Sequence, residues 1–308
     1  MRNSTASLGE YQRIVMNFNS VSDAKEYVVK VTNKAKTLDD INSSIEYYQG
    51  MFDKAHDDDS RNLWKTEVEK LELWKGSDDF QSGNFSLGID ELVLEIIEWR
   101  AVIFAFQKTD TKREPFRESG FFAQWYLGAI YGVFTIIGKL ISKDARDNSL
   151  RKLWSDVSPI MLDDGACTQA EIDFIDQEMH LSNGRFTNAN SQVLRFRNKL
   201  IAHNEANPVV NWDEVDNEMS LLIRMWSLLV AWSSFGLYQP FRTGEQAFLG
   251  LDSFFQDSEI YSLKHARQTY LDKVNSWSKN YAHNGDEDTG RGAFPTLTVK
   301  TSFVQKFT

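Results

Sequence analysis

Apolar residues recur along most of the chain at three- and four-residue spacings, which is the period of amphipathic helices. Only five prolines interrupt the 308 residues, so few positions break a helix. Long helical patterns occupy residues 89–107, 147–161, 212–235 and 262–281. Because five or six helices of this length pack together as a bundle, the pattern predicts an all-α helical bundle.

Capping residues predict where some of these helices begin and end. Thr168 and Glu171 stand three positions apart before an apolar run, which is the spacing of a capping box. The acidic residues 57–59 precede a helical pattern that stops at Gly76, where a helix would naturally end. In the tail, residues 294–304 (FPTLTVKTSFV) alternate between apolar and polar side chains, and this predicts a short strand.

A polar stretch at residues 76–86 (GSDDFQSGNFS) is the best internal boundary. We therefore predict three segments. They are an N-terminal helical extension of unknown role at residues 1–80, a helical bundle at residues 86–240, and a C-terminal helical extension with a tail at residues 241–308.

The apolar run at residues 121–141 has two interpretations. Roughly 20 nearly uncharged residues can span a bilayer, and Gly128 and Gly132 have the spacing of close-packed membrane helices. Gln124 and Lys139 within the run, and flanking charges of both signs, favour the central buried helix of a bundle instead. We expect no membrane, with a membrane-associated helical protein as the alternative.

Composition and net charge limit which partners and which cellular location we expect. A net charge of −10 argues against a general nucleic-acid coat, so any contact with nucleic acid must be local. The single cysteine, Cys167, excludes an internal disulfide framework and is compatible with a reducing compartment. Residues 1–15 lack the apolar run of a signal peptide, so we expect a cytoplasmic protein.

Within this acidic chain, residues 194–206 (LRFRNKLIAHNEA) concentrate positive charge. Arg195, Arg197 and Lys199 lie within five positions and are followed by His203. Such a segment can bind phosphate groups, or it can form salt bridges with the next helix, and His203 can then cap a helix end. The candidate acidic partners on that helix are Asp213, Glu214, Asp216 and Glu218.

The residue types suit RNA cleavage by the adjacent 2′-hydroxyl, which needs a base, an acid and positive charge on the phosphate. His203 can take either proton role near neutral pH, and Arg197 offers a planar fork for phosphate oxygens. On an ideal helix the two side chains point roughly 120° apart and lie about 9 Å apart along the axis. The pair therefore fits a two-fold dimer, in which a second chain contributes its own histidine.

The stretch RNKLIAHNE, residues 197–205, resembles the active motif of the HEPN superfamily (higher eukaryotes and prokaryotes nucleotide-binding). In that motif an arginine, usually followed by Asn, Asp or His, precedes a histidine by about four to six residues. The resemblance is closest to the abortive-infection branch, whose motif begins Arg-Asn-Lys, and SKDARDNSLRKLW at residues 142–154 also fits that branch. It covers about residues 88–238, and only the motif is specific.

The resemblance implies a HEPN-like helical bundle, a homodimer with facing motif helices, and cleavage of RNA without metal or other cofactor. Arg197 and His203 would be catalytic, with Asn198 supporting their orientation, and Arg195 and Lys199 would hold RNA phosphates. Members of this kind act as toxin-like or phage-defence effectors, so an antitoxin or regulatory partner is expected. Some members are inactive, so a non-catalytic dimer that binds a nucleotide or partner is the alternative.

The remaining histidines show no partners at metal-ligand spacing, and we predict that they are surface or packing residues. They are His56, His180, His265 and His283. No Walker-type phosphate loop, dinucleotide-binding fingerprint or zinc-protease motif occurs. We therefore predict no metal site.

Overall fold

The computed structural model describes residues 17–32, 38–83, 88–109, 120–144, 146–180, 182–198, 209–233 and 244–282. All regular structure in these ranges is helical, which confirms the prediction of an all-α protein. The helices are α1 (Val21–Thr32), α2 (Leu38–Lys54), α3 (Asp58–Lys75), α4 (Asp78–Ser82), α5 (Ile89–Lys108), α6 (Gly120–Leu140), α7 (Leu150–Asp163), α8 (Gln169–His180), α9 (Gln192–Phe196), α10 (Trp212–Ser233), α11 (Gly244–Ala247) and α12 (Asp257–Ala282), with a 3₁₀ turn at Leu251–Ser253.

Both predicted capping arrangements are present. The Thr168 amide donates to Glu171 Oε2 at 3.0 Å, and the Glu171 amide donates to Thr168 Oγ1 at 3.3 Å. Asp57 caps the start of α3, and Gly76 caps its end. The predicted strand at residues 294–304 lies outside the described residues.

Helix α10 is the central helix of the bundle. Sixteen of its 22 residues are buried, and it packs against α1, α7 and α12. The apolar helix α6 had been expected in this position, but it packs mainly on α5 and α9. Its buried residues begin at Ala129, and Phe121 in its first turn is 69% exposed. The apolar composition of α6 therefore did not predict how many helices pack around it.

Length and composition alone would let α6 cross a membrane, and no other helix in the described ranges has both properties. Of its most apolar 18-residue window, 28% is buried in the bundle.

The core extends across both predicted segment boundaries. Ala24 and Val28 of α1 are fully buried in the main core, and Tyr270 and Val274 of α12 belong to the same cluster. Helices α2 and α3 instead pack on each other around a small separate cluster that contains Ile41. Packing therefore joins the N-terminal extension to the bundle through α1 and the C-terminal extension through α12. The division into three functional segments stays a prediction.

A buried charged cluster joins α5, α10 and α12. Arg100 donates from Nε and Nη2 to the two carboxylate oxygens of Asp216, at 2.7 and 3.1 Å. Tyr270 Oη and Lys273 Nζ donate to the same carboxylate at 2.8 and 2.9 Å. Asp216, which was one candidate partner of the basic segment, is therefore occupied in the core.

Candidate functional site

The basic segment begins on α9, and α10 anchors the first turn of this short helix. Ser191 Oγ donates to Oε2 of Glu218 at 2.8 Å, and the Gln192 amide donates to Oε1 at 2.7 Å. A third, longer hydrogen bond of 3.4 Å comes from the Val193 amide. A carboxylate at this position satisfies amides that have no partner within the helix. Glu218 therefore holds α9 in place directly before the basic residues.

Glu218 is 2% exposed, and its burial has an electrostatic consequence. Burial raises the pKa of this carboxyl to about 7, although hydrogen bonds from Ser191, Gln192 and Val193 act in the opposite direction. The anchor of α9 consequently titrates near neutral pH.

The end of α9 is also held by packing. Phe196 is buried, and its ring meets that of Phe134 of α6 edge to face, with 4.7 Å between centroids. The α-helix ends there, and Arg197 and Asn198 continue in a π-helical turn, a feature often found at functional sites. Lys199 and His203 lie outside the described residues, so their predicted roles and the 120° divergence stay predictions.

The side chain of Arg197 lies on α6 at a glycine. A Cβ placed on Gly138 would stand 3.0 Å from Nη1 and 3.4 Å from Cδ of Arg197. The guanidinium therefore packs closely against α6 at Gly138, where no side chain intervenes. No ion pair or side-chain hydrogen bond joins Arg197 to any other part of the described chain. The side chain is also exposed, so its planar fork can bind an anion.

Arg195 behaves differently. Its Nη2 donates to Glu214 Oε2 at 3.0 Å, and its Nη1 donates to the Ala189 carbonyl at 3.3 Å. The salt-bridge interpretation is thus confirmed for this residue. Both side chains of the ion pair are nearly half exposed, at 43% and 46%. An exposed pair contributes about 0–1 kcal/mol, so an external anion can compete with Glu214 for Arg195.

Asn198 is exposed, and it joins the turn to the loop that precedes α9. Its Nδ2 donates to Asn188 Oδ1 at 3.2 Å. This contact orients the residue next to Arg197, although its predicted role beside His203 stays a prediction.

Arg197 and Asn198 line a cavity of about 480 Å³. Small-molecule sites typically have volumes of about 300–1,000 Å³, so the space suits one small ligand or one nucleotide. Three lining residues are cationic at neutral pH, namely Lys143, Arg151 and Arg197, and no Asp or Glu is among the lining residues that the structure describes. In a chain of net charge −10, this concentration of cations favours an anionic ligand.

The inner wall of the cavity contains a paired arginine and histidine. Arg151 of α7 is 6% exposed, and its Nη2 lies 2.9 Å from Nδ1 of His180 at the end of α8. Because a guanidinium only donates, Nδ1 accepts, and the neutral imidazole carries its proton on Nε2. Nε2 lies 3.4 Å from Ser155 Oγ and 3.8 Å from Asp176 Oδ1. Both ring nitrogens therefore have neighbours that hold the ring in place.

Burial lowers the pKa of Arg151, and the nearby Asp176 partly offsets this effect. A guanidinium nevertheless stays charged at neutral pH, since its ordinary pKa exceeds about 12. The cavity therefore contains a buried positive charge.

The rest of the lining combines apolar and neutral polar groups. The apolar side chains are Ile141, Met179, Phe186 and Leu194. The hydroxyl and amide groups are those of Ser142, Ser182, Thr187, Asn188 and Asn198. An apolar surface with a few hydrogen-bonding groups is typical of ligand pockets.

Arg151 and His180 were missed by sequence reasoning, which treated His180 as a surface or packing residue. The two residues lie 29 positions apart on different helices, so no local pattern predicts their contact. The loop between α8 and α9, which also lines the cavity, folds back on the last turns of α8. A Cβ on Gly184 would stand 2.5 Å from the Gln177 carbonyl oxygen and 2.7 Å from that of Glu178, so only glycine allows this approach. Gly184 in a polar loop was the available signal, but it did not identify the residues that meet.

No group of three or more metal-ligating side chains occurs within the described ranges.

Comparisons of the chain with protein-family models, with curated proteins and with solved structures find no match. Functional inference therefore depends on the geometry of this chain's own residues and on the motif at residues 197–205.

Proposed function

We propose that this chain is a HEPN-like, metal-independent endoribonuclease that acts in the cytoplasm as a toxin-like or phage-defence effector. One observation supports the proposal most strongly. Arg197, the first residue of the motif, presents an exposed guanidinium at a cavity whose charged lining residues, in the part of the chain that the structure describes, are all cationic. This is the environment that a phosphate group at a cleavage site requires.

The proposed reaction breaks one bond of the RNA backbone. The 2′-oxygen bonds to the adjacent phosphorus, and the bond from phosphorus to the 5′-oxygen breaks. A base accepts the 2′-hydroxyl proton, and an acid supplies a proton to the departing 5′-oxygen. The products are a 2′,3′-cyclic phosphate and a 5′-hydroxyl.

The motif residues have separate roles in this reaction. Arg197 binds the phosphate oxygens while negative charge increases on them, and His203 transfers a proton. In a homodimer, the His203 of the partner subunit can complete a site that Arg197 begins. Asn198 orients the turn, and Arg195 and Lys199 hold neighbouring phosphates.

The acidic surface makes RNA binding selective. Most of the surface repels a polyanion, so only RNA that reaches the cationic cavity gains more attraction than repulsion. A regulatory partner, such as an antitoxin, would control the enzyme by covering this entrance.

Incubation of the purified protein with total RNA, with and without EDTA, tests the proposal. We expect cleavage in both conditions, with products that end in 2′,3′-cyclic phosphate and 5′-hydroxyl. Complete inhibition by EDTA, or products with a 5′-phosphate, would contradict the mechanism. Arg197→Lys should lose most cleavage because an ammonium lacks the bidentate fork.

A second candidate is a non-catalytic dimer that binds a nucleotide. The cavity favours it, because its size and its mixed apolar and polar lining suit one nucleotide without requiring cleavage. Tight nucleotide binding by a protein that leaves all RNA intact would support this function instead.

A further inference from the structure

Arg151 is a buried cation that lines the cavity, and no carboxylate among the described residues forms an ion pair with it. Among the described residues, its side chain makes one hydrogen bond, to His180 Nδ1. A guanidinium has five N–H donors, so this single bond leaves donating capacity toward the cavity.

The burial of this positive charge favours the binding of an anion beside Arg151. A buried charge is costly unless an opposite charge or several hydrogen bonds compensate it. Asp176 has an electrostatic effect on Arg151, but it is not among the described residues that line the cavity. A phosphate group that enters the cavity would supply both the charge and the acceptors that Arg151 lacks.

We infer that Arg151, oriented by His180, forms a second phosphate subsite in the cavity that Arg197 shares, so that the cavity binds one nucleotide of single-stranded RNA by two phosphates. The identity of the strand rests on the proposed function, whereas the subsite rests on Arg151, His180 and the cavity.

The size of the cavity favours a single-stranded ligand. A volume of about 480 Å³ accommodates one nucleotide removed from its neighbours but not a base pair within a duplex. Sequence-specific proteins commonly bind RNA in this way, with unstacked bases in pockets. The apolar side chains of Phe186 and Leu194 offer a surface for the base or sugar.

Lys143 has a supporting role. It is exposed and lines the same cavity, and it has no ion pair with another described residue. Its flexible ammonium can attract the phosphate as it enters, while Arg151 binds it within the cavity.

The direct test compares three ligands by calorimetry, namely adenosine 3′,5′-bisphosphate, adenosine 5′-monophosphate and adenosine. For the intact chain we expect the bisphosphate to bind at least about tenfold more tightly than the monophosphate, because one charged hydrogen-bonding partner is added. Adenosine alone should bind most weakly. Equal affinities for the bisphosphate and the monophosphate would overturn the inference.

Arg151→Gln should reduce this preference to about one. Arg146→Gln is the matched control, because Arg146 lies nearby in the chain and pairs with Asp144 but does not line the cavity. The control should keep the preference of the intact chain. A folded Arg151→Gln protein that also keeps it would show that the second phosphate binds elsewhere.

A second measurement needs no change to Arg151, whose burial makes folding defects a concern. In NMR spectra of the intact chain, the bisphosphate should shift the ring signals of His180, with His180→Gln used only to assign them. The rings of His56 and His265 do not line the cavity and should not shift. An unmoved His180 signal at saturating ligand would contradict the subsite.

Measurements of nucleotide binding test the phosphate subsite, and measurements of RNA cleavage test the proposed function. A preference for two phosphates that depends on Arg151 supports the subsite even if the protein cleaves no RNA, and only the enzymatic proposal then fails. Cleavage by a protein without that preference would overturn the subsite and leave the enzymatic proposal intact.

Discussion

The guanidinium of Arg197 lies on Gly138 of α6, with only 3.0 Å between Nη1 and the position that a Cβ would occupy. Gly138 is a buried residue in the last turn of α6. The position of the arginine therefore depends on the absence of a side chain on another helix.

Gly138→Ala should lower RNA cleavage without destabilising the fold. The added methyl group displaces the guanidinium by a few tenths of an ångström or more, and small misplacements at a reacting centre can cost about tenfold to a hundredfold in rate. Alanine also favours a helix over glycine by up to about 1 kcal/mol, so the thermal midpoint should not fall. Initial cleavage rates and thermal unfolding measure the two effects.

Gly128→Ala is the matched control. It lies on the same helix, and a Cβ there meets nothing within 4 Å. This variant should gain the same helical stability and keep full activity. Equal activity of both variants would show that the contact between Arg197 and Gly138 does not matter for cleavage.

The stability of the protein should decrease as pH rises from about 4.5 to about 7. Burial raises the pKa of Asp90 to about 6 and those of Glu171 and Glu218 to about 7. The folded state consequently binds more protons than the unfolded state in this range, and each proton lost with rising pH reduces the free energy of unfolding. Denaturant titrations at several pH values measure this slope.

Glu218→Gln should flatten part of that slope, because glutamine does not titrate but can still accept from the amides of α9. Glu218→Ala should instead cost about 0.5–2 kcal/mol, since the cap is lost. Glu171→Gln is a useful comparison because it removes a similar titration at the start of α8, where Glu171 accepts from the Thr168 amide, and not at the cap of α9. Unchanged slopes in both glutamine variants would mean that other groups cause the pH dependence.

Contacts between residues close together in the chain were predictable from the sequence, whereas contacts between distant residues were not. The start of α8 at Thr168 and the end of α3 at Gly76 depend on residues within one helical turn, so their caps were visible in the sequence. The motif around Arg197 was also found locally. Arg151 and His180 stand 29 positions apart, and their contact depends on how α7 packs on α8. No local pattern encodes that contact.

Burial was harder to predict than helicity for a similar reason. α6 is more apolar than α10, yet α10 occupies the centre and includes buried charged residues such as Asp216 and Glu218. Those charges are tolerated because Arg100 and the first turn of α9 pair with them. The partners of Asp216 come from distant parts of the chain, whereas the sequence pattern offered it and Glu218 only as candidate partners of the basic segment.

Glu214→Gln should strengthen RNA binding. This change removes the ion pair that holds Arg195, and it frees the guanidinium for a phosphate. We expect affinity to rise a few-fold at low salt, because an exposed ion pair contributes about 0–1 kcal/mol. Asp213→Asn is the control, since it removes the same charge from an exposed neighbour that does not contact Arg195. Equal gains from both variants would attribute the effect to net charge alone.

The last prediction tests whether two chains share the proposed cleavage site. If each site combines Arg197 of one subunit with His203 of the other, then Arg197→Ala and His203→Ala proteins should each be inactive. Mixing them under conditions that allow subunit exchange creates dimers with both intact residues at one of two sites. Random exchange makes roughly half of the dimers mixed, so about a quarter of the original activity should return.

The mixing experiment requires that both variants remain dimeric and exchange subunits, which size-exclusion chromatography and a tagged subunit can verify. A site formed within one chain would recover no activity, because each chain would still lack one residue. A site that needs both copies of His203, one as base and one as acid, would also stay inactive. Inactive mixtures of exchanging dimers would therefore contradict a site made from one arginine and the histidine of the other chain, whereas recovery near a quarter would support it.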